Sequence, residues 1–353
     1  RRIIIDPDDE NNLLVASSDG IYRSTDAGAT WSQKQTGKFF DIEANPNAST
    51  SIFYASTGNT IYKSTNNGNS WTNIQTISGS NRIALAVTPA NNTVVYALSS
   101  LSSNSGFNGL YKSTNSGDSY AVQSTTPNIL DGSQDGSNSG GQGWYDLTLA
   151  VDPANENILY TGGITNWKST NGGVNWSLNS FWYSIAGVPT VHADKDAMEW
   201  QGNTLFQGVD GGVYKTSNGG STWTDVSGDL VISQMYRLGV SKADTRVITG
   251  LQDNGTKLRN TAGVWTDNIG GDGMECAINP VTPTIMYGEY QYGFLQRSTN
   301  GGASWTEIKP TGTGNGSWIT PFAIDQATPT TLYVGYDRVY KTTNQGNADR
   351  KST

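Results

Sequence analysis

Residues Ser298–Trp305 read STNGGASW, and close variants recur along the chain. STDAGATW ends at Trp31, STNNGNSW at Trp71, STNGGVNW at Trp176 and TSNGGSTW at Trp223. The shared pattern is Ser/Thr-x-Asp/Asn-x-Gly-x-x-Trp/Tyr, starting at Ser24, Ser64, Ser113, Ser169, Thr216 and Ser298, with a frayed copy at Thr342. Starts fall 40 to 56 residues apart, except for one interval of 82. RNTAGVW, ending at Trp265 and one residue short, fills that gap as a worn copy, so the units number eight.

Each unit carries the same order of short apolar runs and turns. The first reads RIIID, LLVAS and IYRST, and the motif then leads into a further run opening at Trp31. The fourth reads LTLAVD, ILYTGG and NWKST before NGGVNW. Four short strands in a repeat of this length are the signature of a propeller blade. The expected fold is therefore all-β: a single propeller over 1–353, with eight four-stranded blades, or seven if the frayed last unit does not count. Blades are expected at 1–38, 39–78, 79–126, 143–182, 188–229, 230–269, 270–310 and 317–353, with a long loop at 127–142. The last unit ends TTNQGNADRKST, without its Trp and, on this reading, without a fourth strand.

The motif has a local physical explanation. A side-chain oxygen at Asp26, Asn66, Asn115, Asn171, Asn218 or Asn300 can accept backbone N–H groups and hold a tight turn. The Ser/Thr hydroxyl adds a second bond, Gly supplies a φ > 0 position, and the Trp packs its ring against the blade with its N–H near a carbonyl. Asn in most copies keeps the acceptor and drops the charge, which argues against a row of metal or acid sites. The repeat is scaffold, and these turns are expected on one face.

Composition narrows the functional classes. The chain has 42 Gly, 11 Trp and a net charge of −8. An acidic surface is unsuited to phosphate backbones, so no nucleic-acid partner is expected. Nothing approaches the apolar length of a membrane span. The opening RRIII has neither initiator Met nor signal peptide and reads as a mature or excised piece, part of a longer chain or a larger surface assembly. Cys276, the one cysteine, reads as a buried apolar residue.

Chemistry is expected where the copies differ, in the loops opposite the repeated turns. VHADKD, QGVDGGVYKT, LQDNGT, GGDGMEC and EYQYGF all fall on that face by strand order. They contribute the only histidine, His192, with Asp194 and Asp272 as catalytic candidates. Candidate ligand-binding residues are Trp144, Tyr145, Asp210, Gln252, Asp253, Asn254, Glu275, Tyr290 and Gln291. Trp182 and Tyr292 are further rings able to stack on sugar faces. Asp194 and Asp196 alternate with Lys195, so both acids are expected on one side of the strand and the lysine on the other. Asp210, Asp253 and Asp272 each precede glycine or Asn-Gly and are equally suited to capping their own turns. DGSQDGSNSGG spaces Asp131 and Asp135 as a calcium loop does, without the bidentate Glu; a solvated loop is the plainer expectation. No other metal and no cofactor is expected.

The segments VHADKD, VDGGVYKT, LQDNGT, GGDGMECAINP and YQYGFLQRST resemble a sortilin-like bacterial extracellular group of Asp-box (BNR) propellers, Bacteroidota-type secreted proteins often labelled glycosyl hydrolase. The resemblance covers roughly 140–305, and elsewhere only the repeats. It implies an extracellular or cell-surface protein, commonly with a type IX secretion signal. The group often has a second His where this chain has Asp196, which leaves no His pair for a metal. Similarity to xyloglucanases stops at the Asp-boxes on this reading, since those enzymes pair two propellers. Two functions follow: a module binding a glycan or a surface protein, or a glycoside hydrolase using an Asp/Glu pair on the same face. The absence of an unambiguous acid/base pair favours binding. A sialidase is disfavoured, because Arg237 is the main arginine available for a substrate carboxylate.

Overall fold

The computed structural model describes residues 1–353 apart from 7, 47–50, 229, 231, 348–350 and 353. It is built of eight four-stranded antiparallel sheets, each a meander of consecutive strands. Their first strands are Arg2–Asp6, Asp41–Ala44, Ser80–Val87, Thr148–Asp152, Lys195–Gln201, Met235–Val240, Gly273–Ile278 and Phe322–Ile324. Eight is the blade count of the eight-bladed propeller, and the seven-blade alternative falls. The last sheet corrects the sequence reading in one respect. A short fourth strand does form, with Tyr340 and Lys341 pairing Ser352 and Lys351. The chain divides into two compact units, 1–230 with five sheets and 231–353 with three.

Within each unit the apolar runs explain themselves. Successive side chains of a strand point to opposite faces, and here both faces of the inner strands are covered. Phe53 and Ala55 pack with Leu14, Ala16 and Ile21 of the first sheet, while Tyr54 between them joins Leu85, Val95 and Ala97 of the third. Tyr96 and Leu98 of the third sheet face Leu149, Val151 and Trp167 of the fourth. In 231–353, Ile248 and Leu258 pack on Cys276 and Met286, and Tyr287 and Leu295 on Leu332 and Val334. Each fully buried side chain of this kind contributes about 1.5–3 kcal/mol. Cys276 is one of these core residues, its thiol pushed up to about 12 by burial.

The repeated turn closes as its chemistry requires. In the fourth sheet, Ser169 Oγ accepts the Asn171 and Gly173 N–H groups, and Asn171 Oδ1 accepts the Asn175 N–H at 2.9 Å. The worn copy keeps the second bond: Asn260 Oδ1 accepts the Val264 N–H at 3.0 Å. Trp31 and Trp71 donate to glycine carbonyls within their own turns. Three later tryptophans do something else. Trp176, Trp223 and Trp305 donate to Ser124, Asn179 and Asn268, each on the fourth strand of the preceding sheet, so the ring ties neighbouring sheets together.

The turn glycine is equally specific. Gly173 has φ +83°, and a Cβ there would lie 2.0 Å from Leu110 Cδ2 of the third sheet. Gly173→Ala should therefore combine backbone strain with overpacking and cost about 2–4 kcal/mol, read as a lower urea midpoint.

Candidate functional site

In 1–230 the candidate residues gather around the start of the fifth sheet. Asp194 precedes its first strand and is left-handed, with φ 59°, and the pairing to the next strand slips between Lys195 and Ala197. This corrects the expected alternation, because a left-handed residue and a bulge break the pleat. Asp196 lines a cavity, whereas Asp194 lies within the electrostatic reach of Lys195.

Asp194 and Asp210 are half-buried, with carboxylate oxygens within 4.8 Å of each other. Gln142 donates to Asp194 Oδ1 at 2.9 Å, and the Tyr145 hydroxyl lies 3.3 Å from Asp210 Oδ1. Burial, and then the Asp210 charge, push the Asp194 carboxyl above its ordinary range. Behind Asp194 lies Asp146, fully buried and raised further by burial and by the Asp194 charge. Neither Asp146 oxygen has a donor in hydrogen-bond geometry, yet the Asp194 carboxyl is close enough to share a proton with it. Sequence reasoning passed over Asp146 as a candidate, since nothing local marks the acid after two aromatics as buried. His192 stacks against the backbone of Gly211, where a Cβ would meet its ring at 2.4 Å, and its Nδ1 lies 3.2 Å from Ala193 O.

A cavity of about 480 Å³ adjoins this cluster, lined by the inner strands of all five sheets of the unit. Arg2 pairs with Asp41 at 2.9 Å and Glu43 at 2.6 Å on its wall. Arg82, also on the wall, donates to the carbonyls of Trp144 and Tyr145 and so fixes the segment carrying both rings. Trp144 is 63% exposed, and its ring leans on Tyr145 at 5.5 Å. Trp182 and Tyr183 form a second exposed pair, and Gln134 of the long loop donates to the Tyr183 hydroxyl.

That loop is not solvated throughout. Ile129, Leu130 and Asp131 are buried. Asp131 accepts the Ser133 N–H at 2.8 Å, the Asn138 N–H at 2.7 Å and the Ser133 hydroxyl. Donors thus engage both Asp131 oxygens and order the loop from within, and Asp135 is likewise engaged by the Ser137 N–H.

In 231–353 the remaining candidates form a hydrogen-bonded set. Asp272 Oδ1 accepts the Asp253 N–H at 2.8 Å, and the Asp272 N–H donates to Gln291 at 3.1 Å. Asp272 therefore caps the left-handed turn of another sheet rather than its own, and burial raises its carboxyl. Tyr236 donates to Gln252 Oε1 at 2.9 Å, and Asn254 donates to Gln252 O at 3.1 Å. Arg237 is engaged by Glu275 at 3.1 Å, so it is not a free carboxylate receptor. Tyr290 stacks on Phe294 at 4.7 Å. Trp318, which sequence reasoning overlooked, packs edge-on against Tyr292 at 5.3 Å and lies within 3.3 Å of the Tyr236 hydroxyl.

Comparison with known proteins corrects the resemblance drawn from the sequence. A family model, Sortilin-Vps10 (sortilin, neurotensin receptor 3), matches residues 19–129, outside the stretch of roughly 140–305 on which the sortilin-like likeness chiefly rested. A xyloglucanase of Hypocrea jecorina (strain QM6a) is 26% identical over 280 residues, 64% of this chain and 32% of that protein. One from a Paenibacillus species is 27% identical over 214 residues, 45% of this chain and 20% of its own length. The crystal structure of the GH74 xyloglucanase from Xanthomonas campestris superposes with a TM-score of 0.70 at 17% identity, over 100% of this chain and 58% of that one. The similarity to xyloglucanases thus extends well beyond the repeated turns. It displaces the sortilin-like assignment, and with it the BNR, Bacteroidota and type IX secretion attributes. The chain spans about a third or less of the length of these curated relatives. Among the described residues, no helix is long and apolar enough to cross a membrane.

Proposed function

We propose that the protein is an extracellular glycoside hydrolase acting on a xyloglucan-type polysaccharide, with Asp194 and Asp210 as its acid/base pair. The observation that carries this is the half-buried carboxyl pair lying beside exposed rings. Glycosidic cleavage needs one carboxyl that keeps its proton and one that carries charge. Asp194, raised by burial and by Asp210, is suited to protonate the leaving oxygen. Asp210, held by Tyr145, is suited to act as the carboxylate. Asp146 stands behind as a proton-holding neighbour that does not face solvent. The similarity to xyloglucanases supports hydrolysis over the binding module that the sequence alone favours.

The test is release of reducing ends from xyloglucan by the wild type, Asp194→Asn and Asp210→Asn, with polysaccharide binding measured in parallel. Turnover lost in both variants with binding kept supports the reading. Binding without turnover in the wild type replaces it with a binding module, and silence on both removes it. The anomeric form of the first product reports whether Asp210 attacks the sugar or activates water. Trp144→Ala should raise KM about tenfold, the equivalent of losing 1.4 kcal/mol of stacking, with kcat changed less than KM because the ring supplies stacking and no proton.

A further inference from the structure

Beneath the Asp194/Asp210 pair lies a cation to which the reading above gives no part. Lys195 is fully buried, and its ammonium donates to Ile164 O at 3.1 Å and to His192 O. Its own N–H donates to Gly163 O at 2.9 Å. The Ile164 carbonyl also receives the Asp194 N–H, at 3.3 Å. One lysine therefore clamps the turn at 163–165 of the fourth sheet to the stretch 192–194 that precedes the fifth. The clamp is tightly fitted: a Cβ on Gly162 would lie 2.3 Å from Lys195 Cβ and 2.8 Å from Thr148 Cγ2.

We propose that Lys195 is a positioning residue, which holds Asp194 in its left-handed turn against Asp210 and supplies the positive charge facing the acids around it. Those acids are Asp194, Asp146 and Asp210, with His192 beside Asp194 and with Asp196 and Arg82 acting on Asp146. The proposal rests on the hydrolase reading only in taking the pair as reactive; the clamp itself is a feature of the fold. Burying an ammonium against carbonyls is costly unless its charge is compensated, and here nearby carboxyls compensate it without forming its hydrogen bonds. Burial draws the lysine down to about 7, against the opposing pull of those acids. Removing it strips a donor from two carbonyls and leaves His192 and the Gln142 hydrogen bond as what still favours the Asp194 anion against the acids around it.

Lys195→Met keeps the stem and removes the charge. The Asp194 carboxyl, followed by 13C NMR in selectively labelled protein, should then bind its proton at least tenfold more tightly. The basic limb of the kcat/KM profile should move to higher pH by the same factor, with KM nearly unchanged. A lysine that serves stability alone would lower the melting temperature and leave the Asp194 titration in place, and that result overturns the proposal. If the variant does not fold, the wild type decides: the Asp194 resonance must show a second inflection at the pH where the Lys195 side chain titrates, and a single inflection overturns the proposal. These titrations do not depend on turnover. A wild type without turnover would remove the hydrolase reading, and an Asp194→Asn variant as active as the wild type would remove Asp194 from the chemistry; either leaves the clamp to stand or fall by NMR.

Discussion

Asp194→Asn should lower kcat on xyloglucan by about 10³-fold, within the range of about 10² to 10⁴ for loss of a general acid or base. The substitution is nearly isosteric, and its structural cost is small for two reasons. Asparagine tolerates the left-handed φ of 59° better than any residue but glycine, and its amide oxygen can still accept from Gln142. What it cannot do is hold a transferable proton. Asp210→Asn keeps the Tyr145 contact in the same way and removes the negative charge opposite. Because the two carboxyls act as a unit, the double variant should be scarcely worse than either single one. Steady-state release of reducing ends measures all three, and full activity in either single variant would remove that residue from the chemistry.

The fold is legible in the sequence where its chemistry is local. Ser169 and Asn171 satisfy a turn from within eight residues, so the motif reads the same wherever it falls. Asn260 shows how robust this is, since it holds its turn although no hydroxyl stands two positions before it. The tryptophans are less legible. Trp31 and Trp176 occupy the same place in the motif, yet one bonds its own turn and the other the preceding sheet, which depends on whether Ser124 stands opposite.

The site is legible in part, for the same reason. Asp194 is visible as an acid near the only histidine. Its partner Asp146 becomes an acid of altered proton affinity only when loop and sheet bury it together, and no spacing rule carries that. The Asp194/Lys195/Asp196 alternation misleads because it assumes an unbroken strand, whereas the strand starts at Lys195 and bulges at once. Asp272 supports the turn at Asp253, nineteen residues away, where sequence suggests only its own. Short matches such as VHADKD misplace the relatives, because propellers of unrelated function share turn and strand chemistry.

Glu289→Gln should make the protein more stable at alkaline pH while changing it little in mild acid. Glu289 is fully buried in the seventh sheet. Its Oε1 accepts the Thr320 N–H at 3.0 Å, while its Oε2 has no donor in hydrogen-bond geometry, although the Glu275 N–H lies near enough to favour the anion. Burial dominates and pushes the carboxyl up to about 8. An unfolded glutamate titrates near 4.3, so between about 4 and 8 the native state holds a proton that the unfolded state has released. Stability from this group is thus fully present below pH 4 and is lost as pH rises through 8. The full change is at most about 5 kcal/mol, from 1.36 kcal/mol per pH unit over that window. Glutamine stays neutral throughout, keeps an acceptor for Thr320 and lacks this slope. Asp146 and Glu43, also raised by burial, tilt wild type and variant alike, and Lys195, lowered by burial, opposes them above pH 7. The difference between the two urea-denaturation series at pH 5 and pH 8.5 isolates Glu289. It should grow by several kcal/mol in favour of Gln, and a pH-independent difference would mean that Glu289 is ionised in the native protein throughout.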